Sequence, residues 1–117
     1  MRWFRRLKKK FAYAFDGMKW LFADLSVQLQ LLIGFGVVLF GIAYSFNFTE
    51  WCIVAIAILL VVMLEGLNTV IEELADLVCQ RQDVRVKHIK DGAAFAVLLA
   101  GCIAVVLFLM ILKGVFR

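Results

Sequence analysis

Proline is absent from these 117 residues, histidine occurs once, and charged residues make up only 19%. Without proline, nothing in the chain by itself forces a helix to break. Cysteine is also sparse. Cys52, Cys79 and Cys102 lie far apart, are odd in number and show no Cys-x-x-Cys or Cys/His ligand spacing. That pattern excludes a secreted disulfide scaffold and leaves little ground for a metal or redox centre built on them. Cys52 and Cys102 sit in apolar runs, where a free cysteine is a small hydrophobe. What the chain has instead is apolar mass. Hydrophobic residues reach 65% and the mean hydropathy is +0.97, whereas soluble domains run at roughly 45–50% apolar and about 25% charged. A domain this small has too little polar surface to cover such a core in water. A soluble monomer and a disordered tail are excluded, and an all-α membrane protein is expected.

The few charges are unevenly placed. Arg2 to Lys19 holds seven of the 13 basic residues and Arg81 to Lys90 holds four. The net charge of +4, beside long apolar segments, points to anionic lipid headgroups and not to nucleic acid. The basic start leads into an amphipathic stretch carrying Asp16, Lys19 and Asp24. No apolar signal core follows, so no cleaved signal is expected.

A single integral-membrane domain over residues 1–117 is expected, in four segments. In residues 1–28, Phe4, Leu7, Phe11, Phe15, Met18, Phe22 and Leu25 recur every three or four positions among basic residues, the pattern of an amphipathic helix lying on a membrane surface. Transmembrane helices are expected over about 29–47, about 51–80 and about 88–113, the second continuing past Glu65 toward water. Asn47 to Glu50 reads as a tight connection, and Trp3, Trp20 and Trp51 as interfacial anchors. The first segment and the loop after the second span hold 11 of the 13 basic residues, which orients both toward the cytoplasm, with Asn47–Glu50 and the C-terminus outside. Small residues at Gly34, Gly36, Gly41, Ala93, Ala96, Ala100 and Gly101 permit close helix approach, and self-association is expected.

The informative stretch is Glu65 to Asp76. At helical spacing Glu65, Asn68, Glu72 and Asp76 share one face. Carboxylates at the end of a spanning helix are costly unless paired or liganded, and mark a functional site; a plain water-facing helix end is the alternative. Glu65 lies deepest and suits general-base work, while Glu72, roughly 10 Å nearer water, can reach a hard cation such as Mg²⁺ arriving with nucleotide phosphates. Lys90 and Asp91 open the third span at the same boundary, and Arg6 and Lys9 offer positive charge to phosphate oxygens. These groups at a lipid boundary point to phosphoryl transfer onto a membrane-embedded alcohol. Neither a Walker A pattern nor a kinase glycine-rich loop is present.

The block Glu65-x-x-Asn68-Thr69-x-Ile71-Glu72-x-x-x-Asp76, followed by Lys90-Asp91, resembles the bacterial diacylglycerol kinase family, which includes undecaprenol kinases. The resemblance covers nearly the whole chain, and Phe11 to Trp20 looks more like the Gram-positive, undecaprenol-type branch. It implies a homotrimer with composite sites in the bacterial cytoplasmic membrane, Mg²⁺ and ATP, and a lipid alcohol as acceptor, with undecaprenol favoured and diacylglycerol next. It implies Glu65 as catalytic base with Asn68 beside it, Glu72 as metal ligand, Asp76, Lys90 and Asp91 at the nucleotide, and Arg6 and Tyr13 as further contacts. One departure stands out. The family places a second metal-binding Glu eight residues after the glycine equivalent to Gly17, and an Arg four further on; here those positions are Leu25 and Leu29. Asp24 is the nearest acid, about 100° away around a continuous helix. A catalytically weak or silent member, or a small transporter or channel subunit, is the alternative reading. Transporters usually place ionisable groups near the midplane, and both long spans here are uncharged in their middles.

Overall fold

A computed structural model describes residues 1–117 as four helices: α1 (Arg2–Phe22), α2 (Leu25–Ala43), α3 (Phe48–Val78) and α4 (Val84–Leu112). There are no strands. The last three are long and apolar enough to cross a membrane. The 19 residues of α2 extend about 28 Å, whereas the 31 of α3 extend about 46 Å, well beyond a hydrocarbon core of about 30 Å. The end of α3 that carries Glu65 to Val78 therefore has length to spare for a polar boundary.

The amphipathic helix stops earlier than the expected residue 28. Gly17 does not end it; the break comes at Ala23–Asp24. Asp24 takes an extended backbone and its carboxylate accepts from the Val27 N–H at 3.3 Å, capping α2. A capping acid satisfies an orphan N–H and favours the positive end of the helix dipole, so one residue suffices to divide the two helices without proline.

The turn between α2 and α3 also differs from expectation. The apolar run continues through Phe46, but α2 ends at Ala43. Ser45 adopts φ 56°, the Phe46 N–H reaches back to the Gly41 carbonyl at 3.0 Å and Ser45 N–H to Ile42 at 3.3 Å. Together these bonds form a Schellman termination. Asn47 and Glu50, expected as a connection, instead form a reciprocal capping box that starts α3. Glu50 is fully buried and its carboxylate meets the Arg117 guanidinium at 3.2 Å. Arg117 also donates to the Tyr44 and Ser45 carbonyls, and the Asn47 amide donates to the Phe116 carbonyl at 3.1 Å. The residues after α4 are thus tied to the α2–α3 turn.

Above this latch sits the small core of Phe46, Val54 and Ile111, with Phe40, Trp51 and Phe108 packed around it. Trp51 is not a free interfacial anchor: its ring lies 5.6 Å from that of Phe46, over Gly41, where an added Cβ would come within 2.8 Å of the indole. Trp3 and Trp20 remain exposed. Gly34 meets Ile58 closely, while Gly36 and Gly101 face open space.

Helix α3 packs along α4 and over a shorter stretch of α2, and α1 meets α2 only at their shared end. The molecule measures 49 × 47 × 21 Å. Three helices about 10 Å across cannot fill the second dimension, so α1 extends sideways from the bundle. Only 13 of 117 residues are buried, so most apolar side chains need a bilayer or neighbouring chains to cover them.

Candidate active site

The single acidic face read from the sequence resolves into two adjacent rows on α3. In the first, Glu65 and Thr69, one turn apart, are both buried, each 7% exposed. They face the α1–α2 break. Gln30 of α2 donates from Nε2 to Glu65 Oε2 at 3.5 Å. Thr69 Oγ1 donates, with the Glu65 carbonyl at 3.1 Å and Asp24 Oδ2 at 3.3 Å as its acceptors. The unwinding at Ala23–Asp24 is what brings the Asp24 carboxylate to α3; on a continuous helix it would point elsewhere. Gly66 leaves room for Leu21 of α1, whose Cδ1 would lie 3.2 Å from an added Cβ. Gly66 thus lets the last turn of the amphipathic helix approach α3 at the residue next to Glu65.

The second row is Asn68, Glu72 and Asp76, at successive turns. Asn68 Nδ2 donates to Glu72 Oε1 at 3.1 Å, while Asn68 Oδ1 is buried with no partner. Asp76 forms an ion pair with Lys90 of α4, tying the two longest helices together at this end. Lys87 and Asp91 pair along α4 at 2.7 Å. Asp76, Lys87, Lys90 and Asp91, with Cys79 to Asp83 of the connecting loop, line an open polar basin of about 560 Å³. At its far rim Asp83 caps α4 through the Arg85 N–H at 2.8 Å. The Arg85 guanidinium and this backbone bond hold the Asp83 carboxyl below the usual range.

On the other side of Glu65 an apolar groove of about 330 Å³ runs between α2, α3 and α4, lined by residues such as Gly34, Val54, Ala57, Gly101 and Phe108. Gln30 is its one polar side chain. The Glu65–Gln30 pair therefore stands where an apolar groove ends, one turn of helix from a strip of oxygen donors and cations.

Sequence reasoning finds Glu65, Asn68, Glu72, Asp76, Lys90 and Asp91, and the fold gathers them at one end of α3 and α4. It does not bring Arg6 or Tyr13 to them: both are exposed on α1, and Arg6 takes no part in the ion pairs. Leu25 and Leu29 are 69% and 51% exposed. Gln30 stands out in the sequence only as one of the polar groups near Leu25 and Leu29, with Ser26 and Gln28, and its pairing with Glu65 is not legible there. It lies directly before the apolar run that opens at Leu31.

No cluster of three His, Cys, Asp or Glu side chains capable of holding a metal ion exists within one chain. The donors fit a different kind of site. Mg²⁺ takes oxygen ligands and is usually bound by one or two carboxylates plus substrate phosphates. Glu72, beside the unpartnered Asn68 carbonyl oxygen, offers that hard, incomplete set.

Comparison with known proteins supplies the last observation. No curated protein matches the chain. The family described as prokaryotic diacylglycerol kinase matches residues 12–112, a span that takes in both acidic rows, Gln30, the polar basin and all three apolar helices. The chain is thus a member of the prokaryotic diacylglycerol kinase family, integral membrane lipid kinases of bacteria.

Proposed function

We propose that the protein is an ATP-dependent kinase of a membrane lipid alcohol, with undecaprenol as the first candidate substrate and diacylglycerol the second. The buried Glu65 carboxylate, held by Gln30 at the end of an apolar groove, carries the reading. A lipid chain lying along that groove presents its hydroxyl to Glu65. Glu65 takes the hydroxyl proton as the lipid oxygen bonds to the γ-phosphorus of ATP; the bond from that phosphorus to the bridging oxygen breaks, and ADP leaves with the electron pair. A Mg²⁺ ion entering with the nucleotide supplies charge neutralisation on the phosphate oxygens. Glu72 and Asn68 Oδ1 would hold it. Asp24 is the weaker ligand candidate, because one of its oxygens already serves Val27 and Thr69.

The polar basin suits the rest of the nucleotide. Lys90 and Lys87 line it with Asp76 and Asp91, so cations are at hand for phosphate oxygens and acids for ribose hydroxyls. Arg6 and Tyr13 contribute only if α1 is brought over the basin, by its own motion or from a neighbouring copy. The large exposed apolar surface supports a homotrimer with sites shared between subunits. The charge distribution supports a cytoplasmic N-terminus, an external C-terminus and one integral domain over residues 1–117. The undecaprenol preference rests on the likeness of Phe11 to Trp20 to that branch.

The test is transfer of labelled γ-phosphate from ATP to undecaprenol and to diacylglycerol, side by side in bilayers. Glu65→Gln and Glu72→Gln should each abolish most of it; undiminished activity would overturn the assignment. One observation favours a second reading, a weakened kinase: Leu25 and Leu29 stand exposed where acid and base are expected. Leu25→Glu should then raise Mg²⁺-dependent turnover.

A further inference from the structure

The family match begins at residue 12, yet six of the 13 basic residues, Arg2, Arg5, Arg6, Lys8, Lys9 and Lys10, precede it. No acid occurs before Asp16. The four ion pairs of the chain use Arg85, Lys87, Lys90 and Arg117, so none of the six is neutralised from within. All six are exposed, on a helix without a buried residue. They fall within roughly 13 Å of helix, a density of like charge that is unfavourable unless something external balances it.

Their placement says what balances it. At about 100° per residue, Phe4, Leu7, Phe11 and Phe15 share one face, Lys8 and Lys10 fall on its two flanks, Arg5 and Arg6 lie further round, and Arg2 and Lys9 lie opposite it. All four apolar side chains are exposed. Long cationic side chains bordering an apolar face lay their stems on it and keep their charges at headgroup level. We infer that residues 2–10 are a docking surface for anionic phospholipid headgroups, selecting them over zwitterionic ones by charge complementarity. The selection reaches the site through the helix itself. The other end of α1 places Leu21 against Gly66, next to Glu65, and its Phe22 carbonyl accepts from the Gln28 amide at 2.9 Å. Headgroups that hold residues 2–10 fix the far end of a 21-residue lever whose near end packs on Gly66, beside Glu65.

Lipid selection needs no turnover, so it is measured independently of kinase activity. The purified full chain is placed in phosphatidylcholine bilayers carrying trace spin-labelled phosphatidylglycerol or spin-labelled phosphatidylcholine, and the motionally restricted fraction of each is compared. The labelled anionic lipid should be held several-fold more than the zwitterionic one, and 0.5 M salt, on the order of a threefold shorter screening length than at 0.05 M, should remove most of the preference. Arg2→Gln, Arg5→Gln, Lys8→Gln and Lys10→Gln combined should abolish it, each charge contributing up to about fivefold in affinity. Arg2→Lys with Arg5→Lys should keep it. Equal retention of the two lipids by the unmutated protein, a preference insensitive to salt, or full preference in the four-fold Gln variant would overturn the inference. Displacement of the anionic lipid by millimolar inorganic phosphate would also overturn it, assigning the cations to a soluble phosphate.

Discussion

Replacing Gln30 by Leu isolates the contact on which the proposed chemistry turns. Gln30 Nε2 is the side-chain donor to the Glu65 carboxylate, at 3.5 Å. Hydrogen bonds to charged groups are worth about 1.5–3 kcal/mol, and a bond at the outer limit of distance belongs at the low end. About 1.4 kcal/mol is tenfold in rate. If Gln30 orients Glu65 toward the lipid hydroxyl, Gln30→Leu should lower kcat about tenfold at saturating ATP. KM for ATP should not change, since the basin proposed for the nucleotide is lined by other residues. Leucine suits the apolar groove but leaves the buried Glu65 carboxylate without its side-chain donor, so the variant should also unfold at a somewhat lower temperature. Gln30→Glu puts a second carboxylate beside the first and should be worse than Gln30→Leu. The assay is steady-state phosphate transfer to each lipid in bilayers, with thermal unfolding in parallel. Unchanged kcat in Gln30→Leu, or a loss confined to KM for ATP, would refute the positioning role.

Other outcomes follow from single features. Ser45 holds φ 56° at the end of α2, a conformation that glycine adopts without strain, so Ser45→Gly should stabilise the protein by about 0.5–1 kcal/mol, seen as a higher Tm. Gly41→Ala would force a Cβ to within 2.7 Å of the Phe46 ring and should cost about 1–3 kcal/mol in the same measurement. Lys90→Met breaks the pair with Asp76 and should raise KM for ATP more than it lowers kcat, with Lys90→Arg intermediate. The Asp83 carboxyl is held below its usual range in the fold by Arg85. Its stabilisation of the start of α4 is therefore present above the unfolded pKa and lost as pH falls through the folded value. Hydrogen exchange at residues 84–87 should accelerate, relative to other helix starts, on acidification below about pH 4, and Asp83→Asn should remove that dependence.

Much of this protein is legible in its amino-acid sequence alone. Apolar runs longer than a soluble core allows and the absence of proline dictate spanning helices, because only internally bonded backbone is tolerated in hydrocarbon. The spacing of Glu65, Asn68, Glu72 and Asp76 places them on one side of one helix, because helical periodicity is local. Local rules also determine the caps, yet the Asn47–Glu50 box and the Asp24 cap are not evident from their residues. Asn, Asp and Glu serve loops as readily as helix starts, and only the backbone they enclose decides between the two.

Tertiary structure decided everything that depends on which helices lie side by side. No periodicity relates Gln30 to Glu65, 35 positions away, or Asp24 to Thr69; those pairs exist because the break after Phe22 turns α2 against α3 and Gly66 admits Leu21. The scarcity of charge that marks this sequence thus has two consequences of different origin. Composition alone sends the chain into a membrane, since burial of apolar area is a sum over residues. Which groups the few acids meet is set by helix packing, which depends on the shape of each neighbour and on the small residues that let it approach.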